Sequence, residues 1–247
     1  MPLAKVADVK SKFFGPLIRP ISKSAKLAKS KLSFSKGFMN TDKLVLAQRE
    51  FLNRYPGGFS HPEMLAIGKK HRIQKATEFA QLSFAKKKFP DTHEILDNWI
   101  KLISRSSMVS VFEKPKFKEF VAGLEPKEKN RLVAGLKAML HGDEAKGFEA
   151  VVKLMQMAKL GKWSLVSACP FYFNPLEEVF VKPTTAKGVI AYFELENLVY
   201  RPQPSWGFYS EFRTQIKQMK GLVDPSLAPN NAAFTGFLMM SLPAARR

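Results

Sequence analysis

Residues 126–161 read PKEKNRLVAGLKAMLHGDEAKGFEAVVKLMQMAKLG, and this stretch decides the class of fold. Its apolar residues recur at the spacing of one face of a helix. Pro126 suits a first helical turn, Asp143 suits a helix start, and the glycines after each apolar run suit helix ends. The stretch therefore predicts two helices, over about 126–140 and 143–160, that pack as an antiparallel pair.

Helical spacing continues on both sides of this pair. The further predicted helices cover about 42–54, 62–70, 72–88, 92–103, 185–195, 206–220 and 232–242. Their expected caps are Asn40 or Thr41, Ser60, Asp91, Thr184 or Thr185, Ser205, and Asn230 or Asn231. Asp91 with Glu94 has the spacing of a capping box. The sequence thus predicts a mainly α, multi-helix globular domain of eight or nine helices.

Three apolar stretches lack clear helical spacing. Residues 108–112 alternate and contain β-branched side chains, which predicts either a short strand or a buried helical turn. The aromatic and β-branched residues within 163–173 and 179–181 predict two short buried extended pieces. The domain is therefore expected to contain at most a small extended or β element.

The chain divides into an arm and a domain. Residues 1–40 are predicted to form a basic, flexible arm, because lysines recur there and two prolines interrupt any long helix. Residues 41–247 are predicted to form a single mainly helical domain. A sub-boundary near residue 161, where the composition changes, is the alternative division.

The positive charge is concentrated in the first part of the chain. The 247 residues include 40 lysines and arginines against 21 aspartates and glutamates, a formal net charge of +19. Residues 1–40 hold 9 basic and 1 acidic side chains, and residues 41–90 hold 10 and 4, so these two segments carry +14. Such an excess favours a polyanionic partner, with nucleic acid, DNA or RNA, foremost.

Three interpretations of residues 1–40 are open. They form a solvated tail, an arm that contacts nucleic-acid phosphates, or a lysine-rich segment for a membrane surface or for targeting. The segment lacks the apolar centre of a secretory signal, and no uncharged apolar run in the chain approaches the ~18 residues of a membrane span. The single cysteine, Cys169, excludes an intramolecular disulfide, so a cytoplasmic location is expected.

The predicted phosphate contacts are basic side chains of the first ninety residues. They are Lys10, Lys12, Lys23, Lys26, Lys29, Lys31, Lys36, Lys69, Lys70, Arg72, Lys86, Lys87 and Lys88. Lysine far outnumbers arginine in residues 1–40, which favours non-specific phosphate contact over bidentate recognition of bases.

No catalytic motif is recognisable in the sequence. Gly57-Gly58 lacks the lysine and the spacing of a phosphate-binding loop and is interpreted as a helix-ending turn. The 4 histidines and the single cysteine match no zinc pattern, so no metal or cofactor is expected. His93 and Asp97 are interpreted as a surface pair on one helix. An enzyme is therefore the less favoured class of function.

Six further residues are candidates for an anion pocket, because their neighbours are apolar residues or prolines. They are Arg105, Glu113, Lys114, Lys182, Arg201 and Trp206. A half-buried cation needs an acidic partner or a bound anion. Two interpretations are open: ion pairs of Glu113 with Arg105 or Arg201, and a phosphate pocket in which Glu113 orients the arginines. Near Arg201, the rings of Trp206, Tyr200 and Tyr209 are candidates to stack on bases.

Several short segments resemble those of a group of uncharacterised bacterial proteins. The segments are Tyr55-Pro56-Gly57-Gly58-Phe59, Phe112-Glu113-Lys114, Pro170-Phe171, Phe180-Val181-Lys182-Pro183-Thr184, and Tyr200-Arg201-Pro202 with Trp206. The resemblance covers about residues 50–210 and leaves the basic arm outside it. It implies that residues 50–210 form one unit and implies no activity.

The leading hypothesis is a nucleic-acid-binding protein, or the binding subunit of a larger complex, that contacts phosphates non-specifically through its lysine-rich first third. One alternative is an enzyme that acts on a phosphorylated or nucleic-acid substrate through the candidate anion pocket. The other is a protein-interaction module. Residues 228–247 are uncharged as far as Arg246 and are expected to pack either inside the protein or on a protein partner.

Overall fold

A computed structural model describes residues 38–243 of the protein. Within that range the chain forms eleven α-helices, three short 3-10 turns and no β-strand, so the mainly α prediction is confirmed. The helices are α1 (Thr41–Arg54), α2 (Pro62–His71), α3 (Ile73–Ser83), α4 (Thr92–Arg105), α5 (Glu113–Gly123), α6 (Pro126–His141), α7 (Glu144–Met157), α8 (Trp163–Phe173), α9 (Pro183–Phe193), α10 (Trp206–Lys220) and α11 (Asn231–Ser241). The 3-10 turns are Gly58–Ser60, Lys86–Lys88 and Pro225–Leu227. The described residues belong to one compact unit.

The predicted antiparallel pair is present as α6 and α7. Asp143 caps α7 by accepting a hydrogen bond from the backbone N–H of Lys146 at 3.0 Å. A Cβ atom added to Gly147 would lie 2.4 Å from the backbone nitrogen of Met139, so the two helices touch backbone to backbone. The second helix ends at Met157, short of the predicted residue 160.

Most of the predicted helix starts are confirmed. Asn40, Asp91, Ser205 and Asn230 cap α1, α4, α10 and α11 through their side-chain oxygens. One cap and one start were placed wrongly. His61 rather than Ser60 caps α2, and α9 begins at Pro183, ahead of the predicted threonine caps.

The prediction of an extended piece within residues 163–173 was wrong, because this segment is helix α8. Ten of its side chains are buried, so apolar residues surround the helix and no one-sided spacing can be read from the sequence. Residues 179–181 are buried and form no strand. Helix α8 packs against α3, α4, α6 and α7, so the segments before and after residue 161 share one core.

The prediction for residues 108–112 was also wrong. These residues form a turn between α4 and α5, and neither a strand nor a buried helical turn is present there. Val109 is buried, whereas Val111 and Phe112 are exposed. Helix α5 was not predicted, because lysines and Pro115 break up its apolar spacing and its fully buried side chains are Phe117 and Val121.

The uncharged C-terminal segment packs inside the protein as far as it is described. Phe234 and Phe237 of α11 are fully buried, and α11 contacts α1 and α9. Residues 244–247 lie outside the described part of the chain. The protein thus covers the apolar face of α11 with its own helices.

A buried polar network joins α7 and α10 to the segment before α9. Glu178 is 8% exposed and accepts hydrogen bonds from the Tyr209 hydroxyl at 2.7 Å and from Arg213 Nη1. Arg213 Nη2 also donates to Glu144 at 2.8 Å. Burial raises the pKa of the Glu178 carboxyl, while Tyr209 and Arg213 oppose that shift. Glu178 thus ties together two residues of α10.

Candidate nucleic-acid interface

The end of α2 and the start of α3 form a sharp corner that carries several cations. Lys69 and Lys70 lie in the last turn of α2. Arg72 has a left-handed backbone, with φ 51°, immediately before α3 begins. Lys75 follows in the first turn of α3. All four side chains are exposed.

Tertiary contacts bring Arg105, at the end of α4, to the same corner. His71 Nδ1 and Ser107 Oγ lie 3.0 Å apart, which joins the end of α2 to the turn after α4. The guanidinium of Arg105 lies 5.7 Å from the centre of the Phe79 ring on α3. We name these five cations, Lys69, Lys70, Arg72, Lys75 and Arg105, the basic corner.

The cations of the basic corner have no acidic partner within residues 38–243, where none of the five forms an ion pair. Glu78, the acidic residue of α3, accepts a hydrogen bond from Gln74 instead. The uncapped start of α3 lies next to the carboxyl ends of α2 and α4, whose dipoles oppose its own, so the positive potential there comes from the five side chains. The corner is therefore suited to anions.

The predicted lysines after α3 divide into two kinds. Lys86 and Lys87 are exposed, whereas Lys88 is half-buried and pairs with Glu94 at 2.9 Å. Because Glu94 is engaged by Lys88, the predicted capping box with Asp91 is only half formed. Lys86 and Lys87 keep their predicted role as candidate phosphate contacts, and Lys88 is neutralised by the protein.

The remaining predicted contacts fall outside the described residues. These are Lys10, Lys12, Lys23, Lys26, Lys29, Lys31 and Lys36.

The ion pairs expected of Glu113 are not formed in the part of the chain that the structure describes. Its carboxylate accepts a hydrogen bond from Ser164 Oγ at 2.5 Å. Arg105 contacts Phe79 instead. Arg201 is exposed, and its backbone carbonyl accepts a hydrogen bond from Trp163 Nε1 at 2.8 Å.

The other candidates for the anion pocket have separate environments. Lys114 is half-buried in the first turn of α5, and Lys182 is exposed just before α9. Trp206 packs on Phe148 with 5.8 Å between ring centres, and the Arg213 guanidinium lies 5.3 Å from its ring. Among the six, we assign Arg105 to the basic corner.

The aromatic residues predicted to stack on bases are engaged by the protein itself. Tyr209 is 1% exposed, and its hydroxyl donates to Glu178. Tyr200 is half-buried and packs edge-on against Phe208, with 5.9 Å between ring centres. Trp206 is half-buried as well. These rings serve the core and the polar network.

Sequence reasoning missed two members of the basic corner. Lys75 lies three positions after Arg72, and this spacing places both residues on one side of a helix. Helical spacing alone could therefore have added Lys75 to the predicted phosphate contacts. Arg105 carries no such local signal, because the His71 to Ser107 contact that brings it to α2 is a tertiary one.

The fold and this surface together define a basic, all-α protein. No group of three or more His, Cys, Asp or Glu side chains in residues 38–243 is placed to hold a metal ion. No helix in the same residues is long and apolar enough to cross a membrane. No protein-family model matches the chain, and no curated protein or solved structure is significantly similar to it.

Proposed function

We propose that the protein binds nucleic acid by non-specific phosphate contacts, through the basic corner and the lysines of residues 1–40. It acts in the cytoplasm, on its own or as the binding subunit of a larger complex. The observation that carries this proposal is the presence of five cations from α2, α3 and α4 on one surface, none of them with an acidic partner among the described residues.

Acidic side chains neutralise the cations of another surface. On α10, Arg213 pairs with Glu144 and Glu178, and Lys217 pairs with Glu177, so cations there are neutralised within the protein. Residues 38–243 as a whole contain 29 basic and 20 acidic side chains. At the basic corner the positive charge is not neutralised by carboxylates of the described residues. Nucleic-acid phosphates can bind there, and counterions are then released from the nucleic acid.

Replacing Lys69, Lys70 and Arg72 together with alanine tests the basic corner. Each phosphate contact contributes about 0.9 to the slope of log K against log salt on a duplex. We expect the triple variant to lower the slope by about 2.7, with affinity at low salt falling accordingly. Fluorescence anisotropy with a labelled duplex, titrated at several salt concentrations, measures this change.

A matched variant separates local contacts from overall charge. Lys127, Arg131 and Lys137 are exposed cations of α6, and their replacement with alanine removes the same charge from another surface. We expect this control to change the slope by less than about 1. Equal effects of the two triple variants would show that net charge, and not the basic corner, drives binding.

Deletion of residues 1–36 tests the arm separately. The cut keeps Phe38, whose carbonyl accepts a hydrogen bond from Glu196, and Asn40, which caps α1. We expect the salt slope to fall by about 0.9 for each arm lysine that contacts a phosphate. An unchanged slope on both duplex and single-stranded probes removes the arm from the proposal and leaves the basic corner.

A further inference from the structure

Phe112 is the single exposed aromatic side chain in residues 38–243. It lies in the turn between α4 and α5 and is 77% exposed, next to Val111, which is 68% exposed. The other phenylalanines, tyrosines and tryptophans of these residues are buried or half-buried. An exposed phenyl ring is available to pack against a binding partner.

The first half of the turn is fixed by hydrogen bonds. The Ser106 hydroxyl is buried, lies 2.8 Å from the Tyr172 hydroxyl, and accepts hydrogen bonds from the backbone N–H groups of Met108 and Val109. The side chain of Val109 is 4% exposed and anchors this part of the turn in the core.

The second half of the turn is fixed as well. Ser110 Oγ accepts a hydrogen bond from the backbone N–H of Phe112, and the Ser110 carbonyl accepts from those of Glu113 and Lys114. The Glu113 carboxylate is then held by Ser164 at the start of α8. The Phe112 ring is therefore displayed by an anchored turn.

The turn that carries this ring begins at a residue that contacts the end of α2. Ser107, five residues before Phe112, is hydrogen-bonded to His71 at the end of α2. Five residues of extended chain span at most about 17 Å, so the Phe112 backbone lies within that distance of the corner. A nucleic-acid strand that contacts the corner cations can thus reach the ring.

We propose that Phe112 stacks on a base and makes this surface a site for single-stranded nucleic acid. The inference rests on the proposed function and adds the strand form that is preferred. Single strands bind where cations follow the nucleic-acid backbone and aromatic rings stack on unpaired bases. The bases of a duplex stack on one another and offer no free face to a ring. Lys114, Lys116 and Lys118 follow the ring directly in α5 and add cations next to it in the chain.

A membrane surface fits the same residues less well. Interfacial binding needs a continuous apolar helix face. Within α5, Phe117 and Val121 are buried and Phe120 packs half-buried against the core, so this helix adds no exposed apolar face to Val111 and Phe112. The charge and the lone ring together favour a strand of nucleic acid.

Three substitutions of Phe112 test the inference in the full-length protein. Phe112→Ala and Phe112→Leu both remove the ring, and leucine keeps an apolar side chain of similar size. We expect both to weaken binding of an oligothymidylate of about 12 nucleotides by about 5- to 100-fold, with an unchanged salt slope because no charge is lost. Duplex affinity stays unchanged, and Phe112→Trp retains single-strand binding with quenching of the added indole fluorescence.

Met157→Ala is the matched control, because Met157 is 72% exposed at the end of α7 and its loss removes apolar surface elsewhere. It is expected to leave single-strand affinity unchanged. Full binding by Phe112→Leu, or equal losses on single strand and duplex, would overturn base stacking. Phe112-dependent binding to vesicles of phosphatidylserine and phosphatidylcholine, with single-strand binding unaffected, would assign the ring to a membrane instead.

The two proposals fail in different ways. If the wild-type protein does not bind the oligonucleotides, or if the variant of Lys69, Lys70 and Arg72 keeps the full salt slope, the proposed function is wrong. If binding depends on these three cations but not on the Phe112 ring, only the preference for single strands is wrong.

Discussion

Replacement of Glu178 by alanine is expected to lower the free energy of unfolding by about 3 kcal/mol. The Glu178 side chain is 11% exposed, and the Arg213 side chain that it pairs with is 19% exposed. Removing the carboxylate leaves a half-buried guanidinium with Glu144 as its remaining partner and takes one acceptor from the Tyr209 hydroxyl. Urea unfolding followed by circular dichroism measures the loss.

The neighbouring residue provides the control. Glu177 is also paired, with Lys217, but its side chain is 53% exposed. An exposed ion pair contributes little, so Glu177→Ala is expected to change the free energy of unfolding by less than about 1 kcal/mol. Similar losses for the two variants would contradict the role of burial.

The same network predicts a dependence on pH. Because burial raises the pKa of Glu178, the folded protein holds this proton more tightly than the unfolded chain does. The stability that the group contributes is present at low pH and falls as pH rises through a window that begins near the ordinary value of 4.5. Glu178→Gln cannot titrate at this position and so lacks this loss of stability. The free energy of unfolding of the wild type minus that of the variant is therefore expected to decrease as pH rises. A difference that stays constant with pH would contradict the expectation.

Gly147→Ala has the second large expected effect, a loss of about 2 kcal/mol in the free energy of unfolding. The added methyl would lie 2.4 Å from Met139 N and 2.6 Å from the Gly135 carbonyl oxygen. Both are backbone atoms, so α6 and α7 must move apart along their contact. Higher helix propensity of alanine offsets about 1 kcal/mol of the strain. Thermal and denaturant unfolding measure the net change.

Gly68→Ala is the matched substitution, because Gly68 lies inside α2 and nothing is within 4 Å of an added Cβ. Without a clash, alanine is expected to stabilise the protein by up to about 1 kcal/mol. The two variants should therefore differ in sign. A stabilising Gly147→Ala would mean that α6 and α7 pack less closely than the structure shows.

Residues of the basic corner differ in how far the sequence could predict them. Lys69, Lys70 and Arg72 are adjacent in sequence, and a helix end followed by a new helix start places them on a surface. Arg105 was predicted as a half-buried cation in an anion pocket. Its apolar flanks gave that expectation, whereas the structure lays its guanidinium against the ring of Phe79.

Phe112 was also expected to be buried and is exposed. Its alternating neighbours, with buried Val109 among them, predicted a packed segment. The hydroxyls of Ser106 and Ser110 instead fold the backbone into a turn, which directs Val111 and Phe112 outward. Side-chain hydrogen bonds to the backbone compete with regular structure, and their geometry cannot be read from apolar spacing.

The amino-acid sequence by itself determined the mainly α class, the antiparallel pair of α6 and α7, the caps at Asp91, Asp143 and Ser205, and the uneven distribution of charge. These follow from local chemistry: cap hydrogen bonds, glycine at helix ends and apolar spacing within one helix. The tertiary structure alone decided that α8 is a buried helix, that Arg105 joins the basic corner and that the carboxylate of Glu178 is buried beside Arg213. Each of these depends on contacts between residues far apart in the chain, and a local pattern carries no information about such contacts.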